Sequence, residues 1–176
     1  SNAVDREEAM NRMLAATPSD ATVRAVAEAV RADKGQFPVF RDINRLGELK
    51  REDLRPLLRE QVTHPDYDRR SQAIRSLGRL SKDETDIQTL RGLVNDQQPY
   101  AVVRAAVSTL GNWDAPANRD VFQKATKLTS PLDGVRLLAL DGLAKADVAE
   151  GRFSDPAPQT TQTVMRFLSD RAHGVN

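Results

Sequence analysis

The chain is predicted to be all-α, a stack of helical hairpins, on three observations. Apolar residues recur at helical spacing, and strict alternation over a strand's length is absent. One short phrase returns at a fixed interval of 33 residues: Ala73, Leu77 and Gly78, then Ala106, Leu110 and Gly111, then Ala139, Leu143 and Ala144. Pro65, Pro99 and Pro131 each stand just before that phrase, where proline ends one helix and fixes the turn into the next. A two-helix unit at this period marks a helical solenoid, because a single hairpin has two apolar faces and buries them only by stacking on its neighbours. The expected fold is a right-handed α-α superhelix of four to five helical pairs. In it the small alanines let helices approach and the leucines fill the seam between layers.

The elements follow in order. Ser1-Asn2-Ala3 reads as the remnant of a cleaved tag, so the native start is expected to be missing. Met10, Met13 and Leu14 suggest a first helix. Val23, Val26, Ala27 and Val30 make one helical face behind a cap at Ser19 or Asp20. A connection, DKGQFPVF, leads to a short helix marked by Ile43, Leu46 and Leu49. Three "first" helices then carry Leu54, Leu57, Leu58 and Val62; Ile87, Leu90 and Val94; and Val121, Phe122, Ala125 and Leu128. Three "second" helices carry Ala73, Ile74, Leu77 and Leu80; Val103, Ala106, Val107 and Leu110; and Val135, Leu138, Ala139 and Leu143. Gly78 and Gly111 follow their leucines, where a left-handed cap suits a residue without a Cβ. Asp66, Asp68 and Asp133 are placed to cap helix N-termini. GRFSDPAPQTT is read as a loop, and TVMRFLSD as a last helix with Val164, Phe167 and Leu168 inward. The division expected is a tag remnant at 1–3, irregular helices at 4–52, three helical pairs at 53–146, a loop at 147–159 and a capping helix with tail at 160–176, in one domain.

Bulk properties narrow the function. Lys and Arg number 26 against 25 Asp and Glu, so no global field attracts nucleic acid or anionic lipid. The chain has no cysteine, which removes disulfide and thiolate chemistry from this segment. No apolar run approaches the ~18 residues of a membrane span.

Catalytic patterns are sparse. His64 and His173 lack a partner at i+4 and read as solvated or capping residues. There is no G-x-S-x-G, no G-x-x-x-x-G-K and no G-x-G-x-x-G. The acidic run Lys82 to Asp86 opens a helix, where the macrodipole favours carboxylates. Arg69, Arg70, Arg75 and Arg79 make one helix basic, with Arg75 and Arg79 on the same side at i, i+4. Tyr100, Trp113 and Phe153 lie near turns and read as lids over hairpin ends.

The proline turn, the Asp/Val/Arg cluster, and Ala and Leu four apart resemble the HEAT repeat family, including its short PBS-lyase-like bacterial variety, over Pro65–Gly78, Pro99–Gly111 and Pro131–Ala144. Arg70 and Arg136 lie seven residues before their leucines, but Arg104 lies six before Leu110. Either the middle turn slips by one residue or Arg104 has another task. The resemblance implies that Asp133, Arg70 and Arg136 form a structural ladder between layers. More narrowly, NDQQPYAVVRAAVSTLG and TSPLDGVRLLALDGLAKAD resemble the C-terminal HEAT-type region of bacterial zinc aminopeptidases of the membrane-alanyl aminopeptidase family. That region packs over the active-site cleft and restricts access to it. The family's H-E-x-x-H is absent here, so the resemblance implies zinc in a parent protease domain and no cofactor or catalytic residue in this segment.

The expected function is therefore a non-catalytic module that shapes a peptide-binding cavity, with its own upstream protease domain or another protein or peptide as partner. Arg75, Arg79, Ser108 and Asp141 form the candidate binding surface. The alternatives are a free-standing interaction scaffold and a HEAT-like DNA-lesion binder. Neutral charge and few aromatics disfavour the latter, and no nucleic-acid partner is expected.

Overall fold

A computed structural model describes residues 3–14, 17–34, 39–128, 134–152 and 154–173. Every regular element among them is helical, as the periodicity predicts. The chain divides into two compact units, Ser1–Ser81 and Lys82–Asn176.

The first unit holds α1 (Ala3–Leu14), α2 (Asp20–Ala32), α3 (Phe40–Glu48), a 3-10 turn at Glu52–Leu54, α4 (Arg55–Val62) and α5 (Tyr67–Leu77). Ser19 caps α2, its Oγ accepting the Thr22 amide at 3.2 Å. Asp66 caps α5, accepting the amides of Asp68 at 2.8 Å and Arg69 at 3.3 Å through Oδ1. Asp68 itself lies inside the first turn. α5 packs on both α3 and α4, so it is the spine of this unit. The faces read from the sequence are the buried ones: Val23, Val26 and Val30; Ile43 and Leu46; Leu57, Leu58 and Val62; Ala73, Ile74 and Leu77.

The second unit holds α6 (Glu84–Gly92), α7 (Tyr100–Asp114), a 3-10 turn at Pro116–Asn118, α8 (Arg119–Ala125), α9 (Gly134–Ala149) and α10 (Pro158–His173). Asp83 caps α6, accepting the Thr85 amide at 2.9 Å and the Asp86 amide at 3.2 Å. Pro99 occupies the position before α7. Here α9 is the spine, packed by α7, α8 and α10. Ala106, Leu110, Phe122, Ala125, Ala139 and Leu143 have no exposed surface. With Ala73 and Leu77, the repeated Ala and Leu positions are thus buried in both units. At ~0.8 kcal/mol per buried CH₂ they are a main source of cohesion within each.

Three local expectations are corrected. Gly78 ends α5 in right-handed conformation, φ −60°, with its amide donating back to Ile74 and Ser76, and α7 runs through Gly111 to Asp114. The left-handed glycine cap stands at the end of α9 instead, where Gly151 has φ 76° and the Arg152 amide donates to the Asp147 carbonyl at 2.8 Å. Gly111 lies mid-helix at the contact with α9, where a Cβ would make ordinary contact with the Phe122 ring and the Gly142 backbone. Leu168 is exposed, because the covered stripe of α10 runs through Thr160, Val164 and Phe167 and leaves residue 168 off that face. Pro131, Asp133 and Phe153 lie outside the described residues.

Candidate interaction surface

The candidate surface residues fall two in each unit. In the first unit, a polar strip joins α5 to α3. Arg79 donates to the Asn44 carbonyl at 3.1 Å and to Asn44 Oδ1 at 2.9 Å. Gln72 Nε2 donates to the same Oδ1 at 2.8 Å, and Asn44 Nδ2 donates to Glu48 at 2.8 Å. Arg79 is therefore engaged in holding two helices together. Arg75 is exposed, with Nη1 3.4 Å from Gln72 Oε1, and presents its charge to solvent.

In the second unit, Ser108 is half-buried on α7 and Asp141 is exposed on α9. Asp141 pairs with Lys145 at 2.8 Å, and Lys145 Nζ reaches Asn112 Oδ1 on α7 at 3.1 Å. Arg75, Ser108 and Asp141 stand at the same interval as the buried alanines, so each is the same outward position in its own second helix. The layers thus carry a constant core and a variable outer ridge.

The rest of the α5 arginine cluster splits into different tasks. Arg69 pairs with Asp33, at the end of α2, and both side chains are only 3% exposed. Arg70 is half-buried near the start of α5, and Arg136 donates through Nη2 to the Leu128 carbonyl at 3.5 Å. Arg104 is exposed, which settles the six-residue spacing: Ala106 and Leu110 keep their register, and Arg104 points outward. The basic helix read from sequence is therefore not a uniform basic face.

His64 has the capping role expected of it. Its Nδ1 accepts the Asp66 amide at 3.0 Å, while Arg69 Nη1 lies 3.4 Å from Nε2. Burial, then the Arg69 charge, pushes the imidazole below its ordinary pKa. The side chain of His173 is outside the described residues. Tyr100 lies over the start of α9, its hydroxyl where a Cβ on Gly134 would sit.

Two polar clusters were not read from the sequence. Arg119, at the start of α8, donates to Asp147 at 2.7 Å, Glu150 at 3.1 Å and Thr160 at 3.0 Å, tying α8 to α9 and α10. Burial works against the charge on Arg119, but the bonds to Asp147 and Glu150 outweigh it and hold its pKa up. Burial likewise pushes the Asp147 carboxyl upward, and the Arg119 bond overcomes it and holds the group low. In the first unit, Glu52 accepts the Ser81 amide and hydroxyl, each at 2.8 Å, and Arg55 Nη2 at 2.6 Å. The Ser81 amide, then Arg55, lowers its carboxyl to about 2.

Among the described residues, no group of three or more His, Asp or Glu side chains is placed to hold a metal ion. No helix among them is long and apolar enough to cross a membrane. No curated protein matches the chain. Residues 43–111, from within α3 into α7, match the family model for HEAT repeats. Together with helices paired into layers and a repeated buried Ala/Leu core, that similarity gives the chain a HEAT-repeat helical fold.

Proposed function

We propose that the chain is a non-catalytic HEAT-repeat module that works by holding a protein or peptide partner. The observation that carries this reading is the contrast between a fixed buried core and a polar residue that differs from layer to layer at the outward position, exposed at Arg75 and Asp141 and half-buried at Ser108, in a chain whose residues 43–111 are similar to HEAT repeats. Such a layer holds its outward groups on rigid helices, which lowers the ordering cost of binding. Quantitative affinity capture from the native host compares the wild-type chain with Arg75→Glu and Asp141→Arg, both exposed and expected to fold. A partner enriched on the wild type and lost from a folded variant supports the reading. Identical recovery on all three, or no enrichment at all, overturns it.

A narrower form makes the module the C-terminal part of a zinc aminopeptidase, where it would restrict entry to the peptide cavity. It rests on the resemblance carried by residues 95–111 and 129–147. The parent reading frame tests it: an upstream H-E-x-x-H is required, and its absence ends this form while leaving the broader one intact. The DNA-lesion reading is ended by the lack of a salt-dependent shift with duplex DNA.

A further inference from the structure

The second unit contains a cavity of about 420 Å³ walled by the end of α8, the start of α9 and one side of α10. That volume falls in the range of ligand pockets, roughly 300–1,000 Å³. Its charged lining is of one sign: Lys127 from just beyond α8, Arg136 from α9 and Arg166 from α10, with no carboxylate among the described lining residues. None of the three forms an ion pair among the described residues. The Arg136 Nε is shut from water and has no acceptor among them either. Asp133, expected from the ladder to face Arg136, lies outside the described residues; even with one carboxylate set there, two cations remain.

The neutral lining selects among anions. Thr126 Oγ1 donates to the Gln123 carbonyl at 2.8 Å, and Thr163 Oγ1 donates to the Gln159 carbonyl at 2.7 Å. Both hydroxyl protons are therefore committed to their own helices. What remains for a ligand is the two threonine oxygens, as acceptors only, and three glutamine amides, Gln123, Gln159 and Gln162. Each amide offers a donor and an acceptor together. A phosphate dianion presents acceptors only, whereas a peptide main chain presents both. We infer that this cavity receives an acidic peptide segment, its carboxylates against Lys127, Arg136 and Arg166 and its main chain against the glutamine amides. The inference rests on the module reading and names the chemistry of a partner for it.

The test uses fluorescein-labelled hexaglutamate and the whole chain, read by fluorescence anisotropy at low and moderate salt. Hexaglutamate is expected to bind saturably and hexaglutamine not to bind. Lys127→Gln/Arg166→Gln, at two exposed positions, should weaken binding at least tenfold with an unchanged circular dichroism spectrum. Arg24→Gln, exposed on α2 and outside the cavity, should leave it unchanged. Absence of saturable binding overturns the inference, as does binding that the double variant does not weaken. Full displacement by millimolar inorganic phosphate also overturns it, since the site would then take any small anion. A chain that ignores hexaglutamate yet still loses a captured partner on Arg75→Glu removes only this site and leaves the module standing.

Discussion

The packing of α3 on α5 in the first unit and of α7 on α9 in the second are the same repeat contact built by different chemistry. In the first, α5 reaches across with side chains. Ser76 Oγ donates to the Ile43 carbonyl at 3.1 Å in a buried position, and Gln72 and Arg79 add their bonds to Asn44 on the rim. Backbones come close in the first contact too, where a Cβ on Gly47 would lie 2.9 Å from the Ser76 Cα; what marks the second is an aromatic ring at the seam. A Cβ built on Gly111 would lie 3.9 Å from the Gly142 Cα, with the Phe122 ring beside both glycines. On the exposed rim there, Lys145 Nζ donates to Asn112 Oδ1 at 3.1 Å. Ile43, Ser76, Thr109 and Gly142 are successive occupants of one position in the 33-residue register. The repeat therefore fixes which positions are buried and leaves open how neighbouring helices meet.

Each unit also holds an Arg–Asp clamp with a buried carboxylate, Arg69–Asp33 and Arg119–Asp147, and these two differ in how far water is excluded. Arg69→Ala leaves the Asp33 carboxylate buried without its cation and should cost roughly 3–5 kcal/mol. Arg119 keeps 18% of its side-chain surface against 3% for Arg69, and Glu150 shares it. Arg119→Ala should therefore cost less, about 1.5–3 kcal/mol, on the scale of charged hydrogen bonds. Urea denaturation followed by circular dichroism measures both; equal losses would mean that water exclusion is not what separates the clamps.

The helix contacts are tested next. Gly142→Ala places a methyl 2.8–2.9 Å from three Phe122 ring carbons, and overpacking of that kind costs ~1–3 kcal/mol. Ser76→Ala removes the bond to Ile43 and should cost about 1 kcal/mol. If Gly142→Ala proves the milder of the two, the view that the Phe122 ring sets the second contact fails.

Acid should act on the first unit through His64. Its folded pKa is depressed below the ordinary 6.5, so the unfolded chain takes up a proton first as pH falls. The contribution is whole above pH 6.5 and is lost progressively below it, down through the folded pKa. Stability measured from pH 7.5 to 5 should fall less steeply in His64→Gln than in the wild type; parallel curves would remove His64 from the acid response. The smallest effect is expected at Asp141→Asn, an exposed i, i+4 pair worth about 0.5 kcal/mol or less.

Much of this was legible in the sequence, for a physical reason. Helix faces, proline turns and caps such as Asp66 and Ser19 depend on residues within a few positions of one another, and a short window contains them. The alanine and leucine phrases were legible because repetition reports a shared environment even when the partner is unknown. The Arg69–Asp33 and Arg119–Asp147 clamps were not, since an arginine on a helix looks solvated until a partner 36 or 28 residues away arrives. Arg79 misled for the same reason: its spacing from Arg75 is correct, but Asn44 decides its task. The glycine caps failed because glycine also fits a right-handed helix end, as at Gly78, or the interior of a continuing helix, as at Gly111.

Phe122 is the feature that carries furthest. A methyl at position 142 is barred only while the aromatic ring stands over it. A chain that first shortened residue 122 would lose ring burial but could then accept alanine at 142. A chain that tried alanine first would meet the clash. The two positions are open to change in one order and closed in the other, so related sequences should vary at them jointly rather than one at a time.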